Sequence, residues 1–235
     1  MIRAVLFDLD DTLFDHQYCA HTALGTVRSM HDAFGRIDVS DFEAAHSRIL
    51  ETIHADVMVG RIPLNVARVE RFRQLYETAG VNADETMSTR TALAYRDAYI
   101  AARQSVAGAA ELLQAVRTRA RVGIISNNLL EEQREKLRHC RLDVYCDALV
   151  VSEEFGVSKP DPKLFEIALS RLECAPHEAV MVGDSWPADV LGAIAAGIRP
   201  VWFNRNRMRA PDPTLGVAEI TSFEEISEVL RTIFQ

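Results

Sequence analysis

Three acidic side chains, Asp8, Asp10 and Asp11, stand within four positions directly behind the apolar run Ala4-Val5-Leu6-Phe7. Carboxylates this close repel and raise one another's pKa unless a cation or hydrogen-bond donors neutralise them. A hard divalent cation answers that cost, and magnesium favours one or two carboxylates together with waters and phosphate oxygens. Taken alone, the same residues could do no more than cap a turn. Three further segments bear on the choice. Ile124-Ile125-Ser126-Asn127-Asn128 ends an apolar run in small hydrogen-bonding side chains. Such groups bind a phosphoryl oxygen without adding charge, with Ser126 as the donor, although Ser126 also suits the N-cap of a following helix. Val157-Ser158-Lys159-Pro160-Asp161-Pro162 sets a lysine between a turn and a helix start, where the prolines stiffen the approach. Val180-Met181-Val182-Gly183-Asp184 ends a third apolar run in an acidic loop that continues to Asp189. Gly183 permits close backbone approach there, and Asp184 and Asp189 are a second source of carboxylate.

The elements that position these residues follow from the apolar runs. Ile2 to Phe7, Arg121 to Ile125, Ala148 to Val151, Ala179 to Val182 and Pro200 to Phe203 are brief and lack polar alternation, as strands covered on both faces do. Amphipathic stretches at Ala109 to Thr118, Leu129 to His139, Pro162 to Leu172, Pro187 to Ala196 and Phe223 to Phe234 fall between or after them. That alternation predicts an α/β fold with a doubly wound, mainly parallel sheet, whose ligands bind beyond the carboxyl ends of the strands. The rhythm breaks over the region that follows Asp8. Tyr18 to Phe34, Asp41 to Val57, Leu64 to Ala79 and Asp84 to Arg103 read as helices, punctuated by Gly35, Gly60-Arg61-Ile62-Pro63 and Gly80. The expected division is therefore a sheet domain over 1–14 and 106–235 and an inserted helical domain over 15–105, joined by two hinges and suited to act as a lid.

Composition limits the partners. The chain has 235 residues, 48% of them hydrophobic, and a formal net charge of −8. An acidic balance without a Lys/Arg cluster argues against nucleic-acid polymers and membrane surfaces as partners, and leaves room for a small anionic ligand. Cys19, Cys140, Cys146 and Cys174 form no C-x-x-C pair and read as ordinary buried thiols in a reducing compartment. The opening residues run straight into a strand that ends in an acid, unlike a signal peptide, so a cytoplasmic location is expected. The histidines at positions 16, 21, 31, 46 and 54 show no metal-ligand spacing.

Taken in order, Asp8-Leu9-Asp10-Asp11-Thr12, Ser126-Asn127, Lys159 and Gly183-Asp184-Ser185-Trp186-Pro187-Ala188-Asp189 resemble the four motifs of the haloacid dehalogenase superfamily. The resemblance is to its phosphatase branch, with a helical cap after the first motif. The cap is more loosely similar, through Gly60-Arg61-Ile62 and Arg68, Arg71 and Arg73, to those of members acting on pyrimidine nucleotides and acylneuraminate phosphates. The resemblance implies hydrolysis of a small phosphate ester with Asp8 as nucleophile, through an aspartyl phosphate, and Asp10 as general acid and then general base. It implies that Thr12 helps to fix Asp10 and the turn and counts among the phosphate-binding residues. Ser126, Asn127 and Lys159 hold phosphoryl oxygens. Mg2+ is the implied cofactor, held by the Asp8 side chain, the Asp10 backbone carbonyl and Asp184, with Asp189 acting through water or beside the ligands. Arg61 is the cap residue singled out for substrate selection. Asp11 has no assigned role and is expected to face solvent or cap its loop, and Trp186 to line an entrance or pack. Alternatives within the resemblance are a 2-haloacid dehalogenase, which does not keep a carboxylate at the place of Asp10, and a phosphomutase of the β-phosphoglucomutase type. A binding protein that keeps the fold without turnover is the non-enzyme alternative.

Overall fold

Each of the five apolar runs contributes a strand to one six-stranded sheet, in a computed structural model that describes residues 1–235. The strands are β1 (Ala4–Phe7), β2 (Arg121–Ser126), β3 (Ala148–Val151), β4 (Ala179–Gly183), β5 (Arg199–Phe203) and β6 (Ala218–Ile220). Their order is β3-β2-β1-β4-β5-β6, and every neighbouring pair is parallel. β6 is the strand that escapes sequence reading, because three residues are too few to show a pattern. All four residues of β1 are fully buried, as a central strand covered on both faces requires. Phe7 lies level with Ile124 of β2 and Val182 of β4. The residues that follow these three positions therefore emerge together at the carboxyl ends of adjacent strands.

By its internal contacts the chain forms two units, Met1–Asp15 with Gln104–Gln235, and His16–Arg103. The second is built from α1 (His16–Arg28), α2 (Asp32–Gly35), α3 (Val39–Met58), α4 (Leu64–Thr78) and α5 (Glu85–Ala101). The single helix expected over Tyr18 to Phe34 is two. His31 takes an extended backbone (φ −149°, ψ 131°) and its Nδ1 accepts from the Ala33 N–H at 3.1 Å, which starts α2 as a separate turn. Arg28 closes the break by donating to the Ile37 carbonyl at 2.6 Å. α1 packs on α5, α5 on α4 and α4 on α3, around Phe34, Phe42, Phe72, Leu75, Tyr76 and Tyr95.

In the sheet unit the flanking helices are α6 (Ala109–Arg117), α7 (Leu130–His139), α8 (Ser152–Phe155), α9 (Pro162–Arg171), α10 (Leu191–Ala195) and α11 (Ile226–Phe234). The core on one face joins Leu6, Ile125, Val150 and Met181 to Leu164, Phe165 and Leu169 of α9. Where a helix from Pro187 was expected, one wider π turn over Trp186–Val190 precedes α10. The chain is tied to itself where it leaves this unit and returns: Asp15 N–H donates to the Gln104 carbonyl at 3.1 Å and Val106 N–H to the Leu13 carbonyl at 2.9 Å.

One reading of the charge needs correction. Folding brings Arg3 beside Arg117, Arg119 and Arg121 around a surface cleft, so the chain does contain an arginine cluster. Three of the four are already matched, Arg3 to Glu178 (3.1 Å), Arg117 to Asp147 (2.9 Å) and Arg121 to Glu173 (2.9 Å). The thiols are also less uniform than expected: only Cys19 is buried. No helix is long and apolar enough to cross a membrane.

His46 of α3 is 1% exposed. Burial first, then the positive charges of Arg71 and His16, hold its pKa well below the ordinary 6.5. The unfolded chain takes up a proton near 6.5 that the folded chain refuses, so this contribution to stability is full above 6.5 and falls as pH drops toward the lower folded value. The urea midpoint is expected to fall less for His46→Gln than for the parent chain between pH 7.5 and 5.5; equal falls would count against it.

Candidate active site

Asp8 follows β1, and its N–H extends the ladder to β4 by donating to the Val182 carbonyl at 2.9 Å. The chain then turns sharply. Leu13 and Phe14 N–H both donate to the Leu9 carbonyl, at 2.9 and 2.8 Å, and Asp11 takes a left-handed conformation with φ 63°. Aspartate tolerates that region better than most side chains. Across the sheet, Gly183 ends β4 where any side chain would collide: a Cβ there would lie 2.3 Å from Oδ2 of Asp189. The absence of a side chain at Gly183 thus lets the Asp189 carboxylate reach back from the π turn to the strand end, where Oδ2 accepts from the Ser185 N–H at 3.0 Å.

Oxygens of Asp8, Asp184 and Asp189 lie within 4.8 Å of one another. One cation of the chain enters this group. Lys159 Nζ donates to Asp8 Oδ1 (2.6 Å), Asp189 Oδ1 (2.7 Å) and the Ile125 carbonyl (2.9 Å), so each of its three protons is placed. Burial alone would pull the lysine pKa down, but the carboxylates of Asp189 and Asp8 overcome that and hold it above the ordinary value. The acids remain under-neutralised. Burial, reinforced by Asp189 and Asp184 and opposed by Lys159, pushes Asp8 well above the carboxylate range. Burial with Asp189 and Asp11 pushes Asp184 up to about 7. Three carboxylates against one ammonium, with oxygens this close, are a donor set that fits a hard divalent cation.

The other residues singled out in the sequence divide sharply. Asn127 holds Lys159 itself: its Nδ2 donates to the Lys159 carbonyl at 2.8 Å and its Oδ1 accepts the Lys159 N–H at 2.7 Å. Ser126 is 2% exposed and its Oγ accepts from Gln133 Nε2 at 2.6 Å; the helix that follows is capped from Leu129, so Ser126 is not an N-cap. Thr12 is joined to Asp184 and not to Asp10, since its Oγ1 donates to Asp184 Oδ1 at 3.2 Å and accepts the Asp184 N–H at 3.1 Å. Asp10 is held from α7: Lys136 Nζ donates to Oδ1 at 2.5 Å and Gln133 Nε2 to Oδ2 at 2.8 Å, with Asn128 Nδ2 adding 3.2 Å. Its side chain stands outside the triad of Asp8, Asp184 and Asp189. Asp11 does not face open solvent; its carboxylate is 15% exposed and lies 3.9 Å from Arg205. Trp186 packs edge-on against Trp202 with centroids 5.0 Å apart. Arg61, in the helical unit, is exposed and pairs with Asp56 at 3.0 Å.

Lys136 and Gln133 are what sequence reading missed. Their signal was weak: a lysine and a glutamine in a helix of mostly charged residues look like solvated surface. They are 4% and 0% exposed.

Residues 2–197 match the haloacid dehalogenase-like hydrolases. The chain belongs to that family. Within it, this hydrolase is similar to proteins of the phosphatase branch. It is 28% identical to the glyceraldehyde 3-phosphate phosphatase of Pyrococcus abyssi, over 99% of this chain and 94% of that protein. It is 30% identical to the pyrimidine 5'-nucleotidase YjjG of Escherichia coli, over 96% of each. Among solved structures, the HAD-hydrolase YfnB of Bacillus subtilis, described as bound to magnesium, superposes with a TM-score of 0.74 at 25% identity, covering 97% of this chain and 98% of that one.

The Lys136–Asp10 pair carries a prediction. Lys136→Met is expected to lower stability by about 1–3 kcal/mol, because it strips the partly buried Asp10 carboxylate of a buried charged donor. Combined with Asp10→Asn the two losses should fall short of their sum by about 1 kcal/mol or more in a urea double-mutant cycle. Simple additivity would show that the two side chains are not coupled.

Proposed function

We propose that this hydrolase is a magnesium-dependent phosphomonoesterase that works through an aspartyl phosphate on Asp8, on a substrate of the nucleotide or sugar-phosphate type. The observation that carries the reading is a triad of carboxylates, two buried and one partly buried, served by a single lysine. The names of the relatives, which act on glyceraldehyde 3-phosphate and on pyrimidine nucleotides, support the same class. Asp8, the Asp10 backbone carbonyl and Asp184 would hold the magnesium, with Asp189 beside them. Bound there, the ion supplies the positive charge that keeps the acids ionised and offsets the phosphoryl oxygens.

The chain's own groups do the rest. A carboxylate oxygen of Asp8 attacks phosphorus, and the bond from phosphorus to the leaving oxygen breaks. Lys159, locked in place by Asn127, lies against Asp8 and offsets the negative charge that builds on the phosphoryl group as the two approach. Asn127 and Ser126 stand behind Lys159 and Gln133, so their part in phosphate binding is largely to fix those donors. Asp10 gives its proton to the leaving oxygen, then takes one from the water that attacks the aspartyl phosphate, which releases inorganic phosphate and restores Asp8. Delivering that proton takes Asp10 partly out of the donors that Lys136, Gln133 and Asn128 supply. Thr12 holds Asp184, and so acts on the metal end of the site.

The deciding experiment is inorganic phosphate release from nucleotides, sugar phosphates and phosphoglycolate, with and without magnesium. Release that needs magnesium and vanishes in Asp8→Asn, with the circular dichroism of the parent chain, is the expected result; near-normal turnover by that variant would overturn the mechanism. Asp184→Asn is expected to raise the magnesium concentration for half-maximal rate by about tenfold or more, the loss of a charged ligand. Arg61→Ala is expected to change the preference among substrates more than the rate on p-nitrophenyl phosphate. Equal losses on all of them would remove Arg61 from selection.

A further inference from the structure

The helical unit holds a partly buried positive charge with no acid to match it. Arg71 of α4 lodges its guanidinium against two rings, Cζ lying 4.8 Å from the centroid of Phe72 and 4.6 Å from that of Tyr95. Its Nε has no hydrogen-bond partner. His46 of α3 packs against the same two rings, at 5.9 Å from Phe72 and 5.2 Å from Tyr95, and its buried Nε2 is also without a partner. Tyr95 stacks at 6.0 Å on Tyr99, whose hydroxyl meets His16 Nδ1 at 2.7 Å. Side chains from four helices thus converge on one spot, and no carboxylate is among them. Burial pulls the Arg71 pKa down; Tyr95 opposes that shift, Arg68 adds to it and Tyr99 opposes it.

Burying an unpaired charge or an unpaired donor is costly, and native structures do it rarely. Aromatic faces recover part of the cost for a guanidinium, but they leave its in-plane donors empty. Those donors form a planar fork that matches two oxygens of one carboxylate or phosphate. The Nε2–H tautomer of His46 supplies a further donor without adding charge.

We propose that Arg71 and His46 form a binding site for an oxyanion, a carboxylate or phosphate group, within the helical unit. The occupant is a free small anion that carries a carboxylate or phosphate group. Malonate serves as the probe, titrated calorimetrically into the full-length chain without metal. Saturable binding to the parent chain is expected, weakened about tenfold or more in Arg71→Gln. Arg71→Lys is expected to fall between them, since a point charge lacks the fork, and His46→Gln to weaken binding less than Arg71→Gln. Arg73→Gln, whose arginine is already paired with Glu70 and Glu77, should bind as the parent does. Parent-like binding by the Arg71 variants, or no saturable binding to the parent chain, overturns the site. If Arg71→Gln does not fold, Arg71→Lys and His46→Gln decide by the same comparison.

Discussion

Lys159 stands between Asp8 and Asp189 with all three of its protons assigned, and much of the sheet unit is arranged to keep it there. A lysine this buried is costly unless opposite charge surrounds it, and carboxylates this buried are costly without it. The arrangement propagates outward. Asn127 clamps the lysine backbone from the end of β2, and Asp189 reaches it from the π turn only because Gly183 leaves the space. Thr12 then ties the first loop to Asp184. Each contact joins a different strand end, so the parallel register of β2, β1 and β4 and the charge balance of the site depend on each other.

Two kinds of carboxylate result from this. Asp8 and Asp184 carry more negative charge than the chain neutralises, and burial drives both toward the protonated form. Asp10, two residues away, is saturated with donors from α7 and lies outside the cluster. A carboxylate left short of positive charge and one caged by its own donors are separate environments, and the turn with Asp11 at φ 63° lets one short loop provide both. The helical unit shows the opposite imbalance, a partly buried arginine and a buried histidine without an acid. In each unit the charge left over has the sign opposite to that of the group it is proposed to bind.

The strand ends, the order of the acidic and lysine segments and the helical character of the insert are legible in the sequence because each depends on neighbours in the chain. Apolar runs without alternation mark doubly covered strands, and acids or small polar residues just after them mark the carboxyl edge. Gly183 could be singled out from its place at the end of such a run. Partnerships were not legible. Asp10 meets residues 118 to 126 positions away, and nothing near Lys136 in its charged helix sets it apart from surface. Thr12 was expected beside Asp10 and lies on Asp184, 172 positions on. The pairing of Asp11 with Arg205 and the lone placement of Arg71 likewise depend on which helix or loop arrives opposite. Local pattern determines where a side chain leaves its strand or helix. Which group neutralises it, and whether any does, is decided only when the sheet and the helices close around it, because burial is what makes an unmatched charge expensive.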